Sequence, residues 1–576
     1  MSIKSSRIAI LGGVSLAVLA LAGVGTWGVK HQITAMIGKV PGLKVGAWSI
    51  DPGSMQLNIS HIKLEQPGVT LAADAVTIPM SLGNIWAMTS ARAGGGEARA
   101  DNVVITTPDY SLNIPHISAT NASFDSAALA KMLDPKDPMP IAQRLAAFSA
   151  GSISIPAMSF NQQIPTNHSV GHYHDITLTG VDHGVITHAT FGKTDATFAS
   201  KPAKGPPVNG TMTFDSMSLD QLSLPAYLHF MLDARQNDIE ARQLAVGDQK
   251  FNGVLVHILT TTPKGDVSWD VTVKSGEATN LQLRSMVVPM LKFATALPHP
   301  APGQPADPQE VSKMLALEGD LLSSMSFDHF TAQDIVVSSA RKQPNAATSV
   351  KPVSVTLAGF SLAETSVPTA PPSAFTFNLD HLKIDLDQFP DTPGLTKFKT
   401  NFYHQLDLSM SQGLSWDLAK GVIELKDLTL SGAGAGSATL GLKMTHIGKT
   451  LLGGNMQAAE AALLPAKATA LHLHVDNQGV VQKYLTTEAA AASQTPQQFT
   501  QQLIAGAGTM IPAILGSSTG AKDIAAALAK FLGDPKNIDI TATSAEGIGA
   551  TDVMAAKIAG PAELMSKLAI KATADQ

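Results

Sequence analysis

Not one of the 576 residues is a cysteine. That excludes disulfide scaffolds, thiolate zinc sites, iron–sulfur clusters and cysteine nucleophiles together, and it suits work outside a reducing cytoplasm. Charge is scarce as well. Asp, Glu, Lys and Arg make up 15% of the chain, against roughly 25% in an ordinary soluble domain. The formal net charge of −6 offers no basic field to a phosphate backbone, so no nucleic-acid partner is expected. Aromatic residues are only 5%, and basic residues are not interleaved with them as single-strand binding requires. Beyond the first thirty residues no long apolar run recurs, which excludes a polytopic helical channel.

What is present is a long apolar run, then alternation. Lys4 and Arg7 precede an uncharged stretch from Ile8 to Val29, followed by Lys30. As a helix it would be about 33 Å long, enough for a hydrocarbon core of roughly 30 Å. Trp27 and Lys30 suit the interfacial border. Ala20-Leu21-Ala22 also fits a signal-peptidase site; the uncut anchor is favoured because the apolar run continues past it. Lys30, Lys39 and Lys44 on the far side weaken the charge argument for orientation. The short leading tail and absent cysteines favour the N-terminus inside.

From Val45 the period becomes two. Hydrophobic residues are 44% of the chain, with 47 Gly and 34 Pro, the composition of many elements with frequent turns. Val45–Ile50 and Met55–Leu64 read as strands around Asp51-Pro52-Gly53-Ser54. Met55, Leu57 and Ile59 share one parity whereas Ile62 and Leu64 have the other, so a bulge is expected near Ser60. Further strands are read at 69–79, 102–107, 176–198, 211–224, 250–262, 267–274, 327–338, 353–362, 375–386 and 406–444, mostly as strands of about 6 to 10 residues. Phe375, Phe377 and Leu379 change parity at Asp380-His381 to Leu382, Ile384 and Leu386, as in the Met55 segment.

Helices interrupt the strands. Asp125 and Ile141 each open a short apolar stripe, and Asp307-Pro308-Gln309-Glu310 is a capping signature for a longer helix. Residues 297–308 and 367–373 are Pro-rich connections. Thr495-Pro496-Gln497-Gln498 is a capping box followed by a stripe through Phe499, Leu503, Met510 and Ile514. A second stripe over 521–532 completes a helical hairpin, and strand-like 538–543 and 568–572 follow it. The expected class is mostly β with helical inserts. A single N-terminal transmembrane helix leads into twisted antiparallel sheet meanders, with a groove as one option, and a C-terminal helical hairpin. The expected boundaries are 1–44 for the anchor and juxtamembrane segment, 45–296 for a β-rich domain, 309–450 for a second β-rich region, and 451–576 for a mixed region with the hairpin at 495–533.

No catalytic, cofactor-binding or metal site is assigned. His168, His172, His174, His183 and His188 cluster in sequence, and His472 and His474 repeat the i, i+2 spacing. Such spacing puts imidazoles on one strand face, but it lacks the helical i, i+4 pair of a zinc hydrolase. Gly432 to Ser437 is a turn without the Lys-Ser/Thr of a phosphate loop. Gly516-Ser-Ser-Thr-Gly520 matches a nucleophile elbow at Ser518, yet a helix precedes it and no histidine follows. Asp385 and Asp387 alternate with Ile384 and Leu386 as the wet face of a strand, not as a glycosidase pair.

The opening of the chain resembles the AsmA-like proteins, relatives of TamB and of the bridge-like lipid transfer proteins. The matching features are the single anchor, Trp48, Pro52-Gly53-Ser54-Met55-Gln56-Leu57, Ile59-Ser-His-Ile-Lys-Leu64 and Leu71-Ala-Ala-Asp-Ala-Val-Thr-Ile78 leading to Ser81-Leu82. They cover about a fifth of the chain. That resemblance implies an extended sheet curling into a groove for acyl chains. Tyr403–Leu408, Trp416–Leu430 and Gly151–Pro156 are similar in style to the YdgA-like anchored envelope proteins, and neither family supplies a catalytic residue.

The resulting expectation is a protein of the bacterial cell envelope. It is held in the inner membrane by a single pass, with the N-terminus cytoplasmic and the body in the periplasm. It binds or helps to move membrane lipid, without a cofactor and without enzymatic activity, and other envelope proteins are further candidate partners. A structural or assembly factor of the envelope is the alternative. An envelope hydrolase, resting on Ser518 and the histidines, is the weaker one.

Overall fold

A computed structural model describes residues 42–51, 53–66, 69–79, 97–124, 148–164, 167–200, 206–236, 240–262, 265–296, 308–342, 352–366, 373–417, 419–448 and 461–574. The expected anchor at 8–29 and the helices expected from Asp125 and Ile141 lie outside the described residues. Among the described residues, no helix is long and apolar enough to cross a membrane. The chain divides into two units, Met1–Ala294 with Ser339–Val350, and Thr295–Ser338 with Lys351–Gln576. The stretches 309–450 and 451–576 therefore fall largely within one unit.

The first unit is an antiparallel meander in which nearly every strand pairs with the next in sequence. It opens with β1 (Leu43–Asp51), β2 (Gln56–Gln66), β3 (Val69–Pro79), β4 (Glu97–Thr106) and β5 (Tyr110–Thr120). The short β6 (Ser123–Phe124) and β5 both pair with β7 (Phe148–Ile164), which pairs with β8 (Asn167–Asp182). The two halves of β8 pair with β9 (Val185–Phe191) and β10 (Thr194–Ser200), so these are one long strand broken at Gly192 and Lys193. In the same way β11 (Val208–Phe214) and β12 (Ser216–Ser223) lie end to end against β13 (Gln243–Thr262), which pairs with β14 (Gly265–Leu283). Helix α1 (Leu224–Leu232) follows β12, capped by the Ser223 hydroxyl, and α2 (Met290–Ala296) follows β14.

The strands run longer than the 6 to 10 residues expected: β13 has 20 and β14 has 19. Left-handed residues inside the strands explain both the length and the broken alternation. In β2 the register skips His61, whose φ is 53°. One left-handed residue reverses side-chain parity without ending the strand. Leu57, Ile59, Ile62 and Leu64 are consequently all buried on one face, at 1–6% exposure. The parity change expected near Ser60 is present, but it is not a bulge: Ser60 and Ile62 keep one constant register with Ala75 and Ala73. Asn102, Asp175, Asn280, His381 and Asp427 do the same in other strands. In β13 the role falls to Gly253 at φ 64°, where an added Cβ would also collide with the Asp215 side chain.

In the second unit, α3 (Pro308–Ser324) begins where the Asp307-Pro308 signature places it. The strands are β15 (Met325–Ser326), β16 (His329–Lys342), β17 (Val353–Thr365), β18 (Ala374–Asp385), β19 (Gln405–Asp417), β20 (Val422–Gly432), β21 (Gly436–Thr445) and β22 (Lys467–Asn477). From β17 onward each pairs antiparallel with its successor, through β23 (Asn537–Gly549) to β24 (Ala569–Ala574). Helix α4 (Pro393–Asn401) lies between β18 and β19. Between β22 and β23 come α5 (Val480–Ala491), α6 (Pro496–Leu515) and α7 (Thr519–Gly533); α8 (Ala550–Ala559) and α9 (Ala562–Ser566) lead into β24. The expected hairpin is α6 and α7. Its capping box is complete: Gln498 N–H donates to the Thr495 hydroxyl at 3.2 Å, and Thr495 N–H to Gln498 Oε1 at 3.1 Å.

Candidate functional site

Residues opposite one another in an antiparallel pair point to the same face. Following the register of the second unit sideways therefore sorts its two faces. One row reads Phe360, Leu379, Met410, Leu430, Ala438, Val475, Ile538 and Ala574, apolar across eight strands. The neighbouring row reads Ser361, Asn378, Ser411, Thr429, Thr439, His474, Asp539 and Thr573, polar throughout and on the opposite face. A second apolar row joins Phe375, Leu414, Leu425, Leu442, Leu471 and Ala542. Bulges at His381 and Asp427 keep Leu382 and Leu428 on the apolar face.

Among the described residues, the apolar face is covered at one end. Phe531 and Ala527 of α7 form a buried cluster with Ile538, against which Val475, Ile540, Ala572 and Ala574 pack. Over β17–β21 the situation differs. None of the apolar side chains of those strands is among the buried hydrophobic residues; they are half-buried, and Leu430 is 52% exposed. Aromatic contacts run along the open part: Phe360 meets both Phe330 and Phe377 edge-on at 5.9 and 5.4 Å, and Phe375 lies 5.3 Å from Trp416. An apolar sheet face normally rests on helices or on another sheet. Here the described residues supply that layer through α7, with Val481 of α5 packed against the same cluster.

The first unit carries an equivalent row through Leu43, Leu64, Leu71, Ile105, Leu112, Phe160, Gly171, Ala196, Met212, Val256 and Val271. It is buried at Leu64, Leu71 and Ile105, then half-buried towards β13 and β14. There Trp269, opposite Ile258, is 45% exposed.

The histidines lie elsewhere. His116, His172, His188, His257 and His474 each stand directly across a strand pair from Asp101, Asp195, Asp220, Asp270 and Asp539 and contact them. Asp539 also accepts from His472 Nε2 at 2.8 Å, and that bond, the largest influence, holds its carboxyl below the usual range. These pairs are largely solvent-exposed, where an ion pair is worth about 1 kcal/mol or less. Among the described residues, no group of three or more His, Asp or Glu has metal-holding geometry.

The remaining sequence candidates have structural places. Ser518 is the N-cap of α7, its hydroxyl accepting from Ala521 N–H at 3.2 Å. Gly434 and Gly436, both at positive φ, form the turn between β20 and β21. Asp387 is not on a strand face, because β18 ends at Asp385, whose carboxylate caps a 3-10 turn over Leu386–Gln388. Asp387 instead pairs with His404 at 3.1 Å and Lys399 at 3.3 Å. A cavity of about 350 Å³ lies nearby, lined by Lys383, Asp385, Gln388 and Asp407 among others. Its acids are engaged: Asp407 holds His381 at 2.9 Å.

Residues 429–575 match the model of a family described as an uncharacterized protein. The matched stretch runs from within β20 past β24. Comparison with curated proteins finds no match. Among solved structures, the crystal structure of Pseudomonas aeruginosa OccK8 (OprE) aligns at 7% identity over 67% of this chain and 88% of that one. Its TM-score of 0.15 is too low to carry an argument about fold.

Proposed function

We propose that this chain is an inner-membrane-anchored protein of the cell envelope whose β-rich body binds the acyl chains of membrane lipid, or helps to move them, without catalysing a reaction. The observation that carries this reading is the apolar row through Phe360, Leu379, Met410 and Leu430, continuous across the strands and, among the described residues, uncovered until α7 reaches it. Burying apolar surface is favourable by about 25 cal/mol per Å², so an acyl chain laid along the row replaces water at a gain. The uncharged run at 8–29 and the resemblance to AsmA-like proteins point the same way.

Native mass spectrometry of the purified protein is expected to detect co-purified phospholipid. Leu430→Asp puts a charge on the open face at an exposed position and should release most of that lipid. Ser431→Asp, one residue on and facing the other way, should retain it. Lipid absent from the wild type, or kept equally by both variants, would overturn the reading. Because α7 already covers part of the same face, a second reading is a structural or assembly role in which another envelope protein continues that cover. A stoichiometric protein partner released by Leu430→Asp would favour it.

A further inference from the structure

One end of the second unit's sheet gathers exposed apolar side chains from three separate stretches of chain. It is the end at which β19, β21 and β23 finish and β20, β22 and β24 begin. Leu464, in the turn leading into β22, is 74% exposed. Val553, Met554 and Ile558 on α8, which starts directly after β23, are 44%, 65% and 90% exposed. Met510 and Ile514, near the hairpin turn of α6, are 60% and 59% exposed. The hairpin's direction places that turn at the same end: Gly520 abuts Ile570 at the start of β24, whereas Gly533 lies by Ile504 and Lys530 reaches the Ala574 carbonyl. Single exposed aliphatic residues are ordinary, but a convergence of this kind marks a contact surface.

We infer that this end is a docking rim that seats on a phospholipid bilayer. The inference rests on the proposed lipid-binding function and names the place where lipid would enter or leave the sheet. Three properties favour a bilayer over a folded partner. The side chains protrude singly from a turn, a helix end and a helix flank, which suits a fluid apolar medium more than a packed protein interface. No Asp, Glu, Lys or Arg occurs between Glu488 and Lys522, so the whole of α6 and the hairpin turn can approach hydrocarbon without desolvating a charge. The rim is also continuous with the open face, since Leu471, at the start of β22, is 39% exposed within the second apolar row. Charges at this end are paired: Lys567 holds Asp552 at 2.6 Å and also faces Glu546 and Glu563, and Asp552 faces Lys467. Docking should therefore depend on apolar insertion and little on anionic lipid or salt, unlike a basic amphipathic helix.

The absence of native cysteine gives a direct test. Leu464→Cys, Ile514→Cys and Ile558→Cys variants of the full chain, and Tyr484→Cys as control, each carry one polarity-sensitive fluorophore. Tyr484 is 50% exposed on α5, which follows the opposite end of β22. In phosphatidylcholine vesicles with brominated acyl chains, the three rim labels should shift to the blue and lose at least half their emission. The Tyr484 label should change little, and adding phosphatidylglycerol or salt should alter nothing. No quenching at the rim, quenching equal to that at Tyr484, or a blue shift without vesicles that grows with protein concentration and marks a second copy, would overturn the inference. Lipid retained in native mass spectrometry while the rim labels stay unquenched would reject the rim alone. Loss of both would reject the lipid reading as well.

Discussion

His229, on α1, sits between two carboxylates, Asp233 at 2.8 Å and Glu240 at 2.9 Å. Partial burial pulls its pKa down, but the hydrogen bonds to Asp233 and Glu240 outweigh that and raise it above 6.5. A raised folded value means that the stabilisation is fully present below pH 6.5 and disappears as pH rises through the folded pKa. Thermal melts are therefore expected to fall between pH 6 and pH 8.5 by an amount worth at most about 1 kcal/mol, discounted for solvent. His229→Gln should flatten that part of the profile; an unchanged slope would refute the assignment. On the exposed face of β8, replacing His172 and His174 together by Gln should alter stability by no more than about 0.5 kcal/mol. Stoichiometric zinc in the native protein, lost from that double variant, would contradict this. Histidine spacing was legible in the sequence, but the carboxylate partners were not. His257 and Asp270 are 13 residues apart and His472 and Asp539 are 67, and only strand register brings them together.

At the scale of elements, α7 closes the last strands of the sheet. Phe531 is 7% exposed in the cluster with Ala527 and Ile538, so Phe531→Ala should lower stability by about 3–5 kcal/mol in denaturant titration. Deleting 496–533 should expose Ile538, Ile540 and Ala572 and cause aggregation while membrane insertion survives. A monodisperse deletion variant with an unchanged melting temperature would show that the hairpin protects nothing. The hairpin was readable because its signals are local: a Thr-Pro capping box, two apolar stripes and a Gly-rich turn. Strand lengths were harder, since Gly253 and Asn280 reverse parity in mid-strand and imitate an ending. Helix α4 carried a comparable signal, Thr392 accepting from Leu395 N–H with Pro393 at its first position, and the sequence reading passed over it. Helices α5 and α8 follow Gly479 and Gly549, which have no side chain for capping, so neither announces its start.

For the molecule as a whole, the sequence made the β-rich class legible, because alternation and turn residues recur from Val45 to Met444. It left the candidate face unread, because that face exists only once strands are set side by side: Val475 and Ile538, far apart in the chain, meet only through register. Anchoring at Ile8–Val29 with the N-terminus inside makes a separate prediction. After alkaline carbonate extraction the protein should remain with membranes, and protease added to spheroplasts should digest the body. A soluble mature protein starting near Gly23 would show cleavage instead.

Strands are spaced about 4.8 Å apart, so the five open strands β17–β21 make a track of about 19 Å before α7 covers the row. Such a track has no privileged seat, only a corrugation repeated at every strand, and cargo on it would travel by one-dimensional diffusion. One charge on a track this short leaves no apolar stretch long enough for a chain on either side, which is why Leu430→Asp should release most of the lipid.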